Sequence, residues 1–362
     1  MKSQAKTSKD SAIAKASPAT KALWAGEEGS LVMGATQIPI VYSAAYGYPN
    51  VDEWLDVALG RKPGHIYSRN TNPTVHAFEE KVRLLEGAEA ATSFSTGMAA
   101  VSNTLFTLLS PGDRVVSVKD TYGGTNKIFT EFLPRFNVDV KLCETTDHAQ
   151  IEAIVAQGCQ VLYLETPTNP TLKIVDLARL AAAGHKVGAI VVADNTFATP
   201  VNQNPLALGV DLVLHSATKF LSGHADAMGG VVCGKPELVD KIYHYREITG
   251  ATLDPMAAYL IIRGMKTLYL RIRQQNESAS RSLGGCKASR PLKLFIIPAW
   301  RHTSTTRLPN ARCEASVACS ALCCAAASRP SNASFRACSL CIAPPTWVRS
   351  RRSPGRQPPP AT

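Results

Sequence analysis

Leu212-Val213-Leu214-His215-Ser216-Ala217-Thr218-Lys219-Phe220-Leu221-Ser222-Gly223-His224 is the stretch on which the reading of this chain turns. Three apolar residues stop at a polar cluster, in which two hydroxyls precede a lysine and a Gly-His turn follows. The pattern recurs upstream. Ile190–Ala193 runs into Asp194, Asn195 and Thr196, and Val161–Leu164 runs into Glu165 to Asn169. Arg114–Val118 is a further short apolar run, and helical stretches at Pro73–Gly87 and Gly97–Leu109 lie before it. Alternation of this kind predicts βα units around a mainly parallel sheet, whose strands are apolar on both faces because helices cover both. Open α/β sheets bind ligands at the carboxyl ends of their strands. One polar cluster there is an ordinary turn, but three in register are expected to converge on one site.

At 362 residues the chain suits a large α/β domain and a smaller second one. A hydrophobic share of 45% and a charged share of 19% are those of a globular protein. No run approaches the roughly 18–20 apolar residues of a membrane helix, so no membrane partner is expected. The first 20 residues are rich in Lys, Ser, Ala and Thr without the apolar stretch of a signal peptide; they read as a disordered arm, and the expected location is cytoplasmic. The net charge of +11 raises nucleic acid as a partner, but its distribution argues otherwise. Residues 281–362 hold 13 Lys and Arg against one acid, Glu314, whereas residues 1–280 carry a net charge of −1. No aromatic-basic interleaving accompanies the charge, so no nucleic-acid partner is expected. Seven of the ten cysteines also fall in the last 82 residues, and the single Cys-x-x-Cys spacing among them, Cys338–Cys341, has no second such pair to complete a metal site, so no metal is expected.

A lone lysine near a strand end is usually a solvated charge. Lys219 differs, because Ser216 and Thr218 can donate to phosphate oxygens while the amine condenses with an aldehyde; the setting suits a phosphate-bearing aldehyde. Asp194 closes a buried strand, where a carboxylate paired with a pyridine nitrogen keeps that nitrogen protonated. Ser95-Thr96-Gly97-Met98 opens a helix, and free N–H groups at a helix start attract anions.

On these residues the chain resembles the Cys/Met-metabolism family of fold-type I, aspartate-aminotransferase-like enzymes that use pyridoxal 5′-phosphate (PLP). The resemblance covers roughly residues 30–280. Tyr67-Ser68-Arg69-Asn70, followed by Asn72-Pro73-Thr74, is similar to the segment whose Tyr and Arg reach the neighbouring subunit's cofactor phosphate. Gly97 and Met98 match the phosphate-binding helix start. Tyr122, in Asp120-Thr121-Tyr122-Gly123-Gly124-Thr125, matches the tyrosine that stacks on the pyridine ring and shuttles protons. Glu165 and Asn169 match a Glu-Thr-Pro-x-Asn-Pro motif, with Asn169 near the cofactor's phenolic oxygen. The resemblance thus implies Lys219 and Tyr122 as catalytic residues and Tyr67, Arg69, Gly97, Met98, Tyr122, Asn169, Asp194, Ser216, Thr218 and Lys219 as cofactor-binding ones. It also implies a homodimer or homotetramer and small amino-acid substrates.

The implied chemistry is γ-replacement on an O-acyl homoserine with cysteine, giving cystathionine, as in cystathionine γ-synthases of methionine biosynthesis. Cystathionine or methionine γ-elimination and O-acylhomoserine sulfhydrylation are the alternatives within the family. Family methionine γ-lyases carry a Cys where this chain has Gly124, which argues against a dedicated methionine lyase.

The resemblance runs through Gly250–Pro255, Arg263–Leu268 and Gln274–Glu277 and then stops. Residues 1–60 are therefore expected to be the arm and N-terminal segment, 61–255 the cofactor-binding domain, and 256–280 the start of a smaller C-terminal α/β domain. Residues 281–362 read as that domain garbled by a frameshift. Allowed codons for Arg290–His302, read two nucleotides out of frame, give A-V-E-A-V-Y-Y-P-G-L-A-A-H. Asn310–Cys324 at the same offset gives C-E-M-R-G-F-G-G-V-L-S-F-V-L, and Cys341–Thr362 also yields family-like sequence. As written, the chain lacks the C-terminal Arg and the Ser-Leu-Gly-type loop that hold the substrate carboxylate in the family. A product that captures PLP but does not turn over is thus a further alternative.

Overall fold

A computed structural model describes residues 12–27, 34–169 and 171–288. In chain order these form α1 (Pro18–Trp24), α2 (Val51–Ala58), α3 (Pro73–Glu86), β1 (Ala90–Phe94), α4 (Gly97–Leu108), β2 (Arg114–Val118), α5 (Gly123–Lys127) and β3 (Asp139–Cys143). There follow α6 (His148–Val155), β4 (Val161–Glu165), α7 (Leu177–Lys186), β5 (Ile190–Asp194), α8 (Thr199–Asn202), β6 (Leu212–Ser216), β7 (Gly230–Gly234), α9 (Pro236–Thr249), α10 (Pro255–Met265) and α11 (Leu268–Ala288). Residues 281–288 lie in α11; the remainder of the stretch read as frameshifted, 289–362, lies outside the described residues.

The strands form one seven-stranded sheet in the order β1-β7-β6-β5-β4-β2-β3. Neighbours pair in parallel from β6 to β3, while β7 runs antiparallel to both β1 and β6. This is the α/β class with a mainly parallel sheet that the apolar runs predicted. Three strands were not legible there. β1 is built of small residues, β3 alternates polar and apolar positions at the sheet's edge, and β7 is a bare Val-Val-Cys between glycines.

Strand residues alternate between two cores, as the two-residue period of a strand requires. Leu162, Leu164, Val191, Ala193 and Val213 pack on one face against α6 and α7, while Val231 and Cys233 meet α3 and α10. Val161, Tyr163, Val192, Leu212, Leu214 and Val232 pack on the other face against α4 and α9. Each side chain of this kind withdrawn from water contributes roughly 1.5–3 kcal/mol, which is why both faces must be covered.

Part of the stretch expected to be a disordered arm carries structure. Ser17 caps α1 by accepting from Thr20 N, and Pro18 starts the helix without a wasted donor. At its end the Lys81 ammonium, fully buried, donates to the carbonyls of Ala22 and Leu23 and to Glu27 Oε1. Lys266 reaches the same carboxylate at 2.9 Å. Charges contributed by α3 and by the loop after α10 thus hold residues whose own composition looks unstructured.

Candidate active site

The carboxyl ends of β4, β5 and β6 carry Glu165, Asp194 and Ser216, and the register sets Glu165 beside Asp194 and Asp194 beside Leu214. The three polar clusters therefore meet at one edge of the sheet. Thr196 ties two of them together. Its amide donates to Asp194 Oδ1 (2.9 Å), closing a local turn, and its hydroxyl accepts from Ser216 N (2.8 Å). Reading the sequence did not single out Thr196, although Asp-x-Thr is the spacing of such a turn.

Lys219 follows β6 in a tight turn, with its amide donating to Ser216 O (3.2 Å). Its side chain is half-buried, and burial lowers its proton affinity below that of a free lysine. A desolvated amine of this kind is a better nucleophile near neutral pH. Asp194 presents the opposite case. Burial raises its pKa, and the Thr196 amide and hydroxyl oppose the rise. Its oxygens meet Thr196 N and, at 3.5 Å, the Tyr163 hydroxyl; among the described residues no Lys or Arg forms an ion pair with it. A protonated pyridine nitrogen fits that gap as the missing cation.

The amino end of α4 lies against Ser216. A methyl group at Gly97 would stand 2.6 Å from Ser216 Cβ and 2.7 Å from Oγ, so the close approach requires glycine. Thr96 caps this helix through Ala99 N (3.0 Å). The Gly97 and Met98 amides at its first turn have no intrahelical acceptor and, with Ser216 Oγ alongside, offer donors of the kind that could hold an anion. Thr218 is placed differently. Its hydroxyl donates to Gly229 O (3.2 Å) and accepts from Gly229 N (3.0 Å), which pins the turn to the start of β7.

Tyr122 precedes α5 and is 42% exposed. Its backbone is held by the carboxylate that sequence reading left without a role: Glu165 Oε2 accepts from Tyr122 N (2.8 Å), and Oε1 accepts from Asn169 N (3.2 Å). One buried side chain thus positions two of the expected cofactor residues. Met98 sits beside them, because a methyl group at Gly124 would lie 2.7 Å from Met98 Sδ and 3.0 Å from the Tyr122 ring.

Burial and the neighbouring Asp194 raise the Glu165 pKa well above the ordinary value, against the two amides it accepts from. The folded state then holds the pair's proton more tightly than the unfolded chain does. The stabilisation is complete below the free glutamate value of about 4.3 and is lost as pH rises through the raised one. Glu165→Gln should therefore flatten the pH dependence of the cofactor-free melting temperature between pH 5 and 8. It should also cost about 1–3 kcal/mol, since a carboxamide cannot accept from both amides. Melts of wild type and variant that run parallel across this range would contradict the shifted carboxyl.

Tyr67 and Arg69 do not join the cluster through contacts of their own. Arg69 stacks over the Tyr67 ring at 5.5 Å and donates to the Glu247 carbonyl at the end of α9, and Asn70 donates to the Glu247 carboxylate. Tyr67 remains 44% exposed.

The model of the family described as Cys/Met metabolism PLP-dependent enzyme matches residues 19–283. Cystathionine gamma-synthase 1 of Arabidopsis thaliana is 41% identical over 252 residues, covering 69% of this chain and 45% of the relative. The L-methionine gamma-lyase of Pseudomonas putida is 40% identical over 256 residues, covering 70% and 64%. Among solved structures, the cystathionine gamma synthase of Xanthomonas oryzae pv. oryzae in complex with aminoacrylate and cysteine aligns with a TM-score of 0.69 and 35% identity, over 73% of this chain and 67% of the other. The chain spans less than half the length of the Arabidopsis relative. Among the described residues no helix is long and apolar enough to cross a membrane.

Proposed function

The chain belongs to the Cys/Met-metabolism family of PLP-dependent enzymes, and from that premise we propose that it is built for γ-replacement on an O-acyl homoserine with cysteine, giving cystathionine. The observation that favours this reading over methionine γ-elimination is Gly124, in a Tyr-Gly-Gly-Thr form that occurs among the family's synthases and in some of its lyases. The family's methionine γ-lyases have a cysteine there, and here Met98 and the Tyr122 ring occupy the space a side chain would need.

When bound, PLP supplies an electrophilic aldehyde carbon and a ring that accepts the electron pair released at the substrate's α-carbon. The Lys219 amine would hold that aldehyde carbon, and its Nζ, once released, would be the base that takes the substrate's α-proton and carries a second proton from the β-carbon. Asp194 would keep the ring nitrogen protonated. The Gly97 and Met98 amides and Ser216 Oγ would hold the phosphate, and Asn169 would serve the phenolic oxygen. The exposed Tyr122 ring would stack on the pyridine, and its hydroxyl would pass protons. Tyr67 and Arg69 would serve the phosphate of a second subunit in a homodimer or homotetramer.

Incubation with O-acetyl- or O-succinyl-homoserine and cysteine tests the reading: cystathionine is the expected product. Release of 2-oxo acid and ammonia from cystathionine or methionine, without any thiol-dependent product, would overturn it in favour of a lyase. Asp194→Ala should weaken PLP binding by about tenfold or more, equivalent to about 1.4 kcal/mol, and Asp194→Glu by less, because the requirement is a carboxylate near the ring nitrogen. Equal losses in both variants would mean that Asp194 serves packing alone.

A second reading, cofactor capture without turnover, is favoured by the family match ending at residue 283, where the composition changes. PLP absorbance without product from any homoserine ester would select it.

A further inference from the structure

The turn that carries Lys219 is held from a helix some fifty residues further along the chain. Within the turn, Ser222 N donates to Ala217 O (2.9 Å) and Gly223 N to Lys219 O (2.8 Å). These bonds shape the turn, and Thr218 ties its start to Gly229. Arg271 on α11 fixes its far side. Its Nη1 donates to Phe220 O (2.9 Å), and its Nη2 donates to Leu221 O (3.3 Å) and Gly264 O (3.0 Å). Its Nε donates to Thr267 Oγ1 (3.0 Å), so all three nitrogens of the planar fork are engaged.

Every acceptor Arg271 reaches among the described residues is neutral. Burial lowers its pKa to about 10, which leaves it charged at neutral pH. A partly buried cation without an acid is unfavourable, and packing alone would be served by an apolar side chain. What a guanidinium adds is a rigid set of donors that can bind successive carbonyls at fixed spacing. The approach is close: a methyl group at Gly264 would collide with the Ser222 carbonyl, and one at Gly223 with the guanidinium itself. The α10–α11 corner thus closes on residues 220–223 with the Arg271 guanidinium against the turn.

We propose that Arg271 is a positioning residue for Lys219: by holding the carbonyls of Phe220 and Leu221 it fixes the backbone beside the lysine, and so where Nζ stands relative to Asp194 and the start of α4. The inference rests on the reading of Lys219 as the residue that holds PLP. Its test uses the full chain prepared without cofactor, mixed with PLP and reduced with borohydride at intervals, the adduct being located by peptide mass spectrometry. Hydrogen exchange of the 217–223 amides is measured in parallel.

Arg271→Met is expected to slow capture at Lys219 roughly ten- to a hundredfold and to speed exchange in the turn. Arg271→Lys should recover part of the rate, since an ammonium cannot bind the carbonyls as a fork. Arg273→Met, an exposed position on the same helix, should behave as wild type. Capture by Arg271→Met at the wild-type rate, or equal slowing by Arg273→Met, would overturn the proposal. Where Arg271→Met does not fold, Arg271→Lys decides: an unchanged rate overturns the idea, and a slowed rate with wild-type circular dichroism supports it. If wild type forms no adduct at Lys219, the cofactor reading falls first; an adduct in wild type with unaltered capture in Arg271→Met removes the role of Arg271 alone.

Discussion

Lys219→Ala should leave a protein that forms no borohydride-reducible PLP adduct and has lost γ-replacement by at least about a thousandfold, since one side chain serves as nucleophile and proton carrier. The lysine has no substitute at this edge of the sheet. Lys173, just past the polar cluster that follows β4, is engaged by Asp120 at 2.7 Å and Glu144 at 3.0 Å. The phosphate contacts proposed at Gly97, Met98 and Ser216 do not depend on the lysine, so PLP should still bind reversibly and dialyse away. A reducible adduct at full stoichiometry in Lys219→Ala would refute the assignment.

Restoring the displaced frame from about codon 280 should raise activity on homoserine esters from near zero to a measurable rate. Residues 281–362 as written carry a net charge of +12 and seven of the ten cysteines, against a body that is nearly neutral. The displaced reading replaces that composition with family-like sequence, including segments that the resemblance associates with binding the substrate carboxylate. Capture of PLP should change little, because Gly97, Asp194, Ser216, Lys219 and Arg271 all precede the break. Nucleotide sequencing across codons 278–290, followed by assays of both forms, checks the expectation. Equal turnover by the chain as written would show that its C-terminal residues are a working variant.

The strands at Val161, Ile190 and Leu212 were legible because a buried parallel strand must be apolar on both faces, and such runs stand out in any local window. β7 was not, because its five residues follow two glycine-containing turns and pair antiparallel with strands from opposite ends of the domain. The helix at Pro18 was missed for a related reason. Its composition resembles an unstructured arm, and the groups that hold it, Lys81 and Lys266, lie 54 and 239 residues from Glu27.

Of the site, the residue types were written in the sequence: a lysine behind two hydroxyls, an acid closing a strand, and a glycine opening a helix are local facts, and their chemistry follows from their functional groups. Which of them act together was decided by the fold. Glu165 acquires its role only when β4 carries it to the Tyr122 amide 43 residues away. Thr218, a phosphate candidate in the sequence, also ties its turn to β7 once Gly229 lies opposite its hydroxyl. Arg271 is one of many arginines until α11 returns to Phe220, 51 residues behind it. Hydrogen bonds and desolvation act over a few ångströms in space without regard to distance along the chain, so local sequence specified the groups, and only the tertiary structure specified their partners.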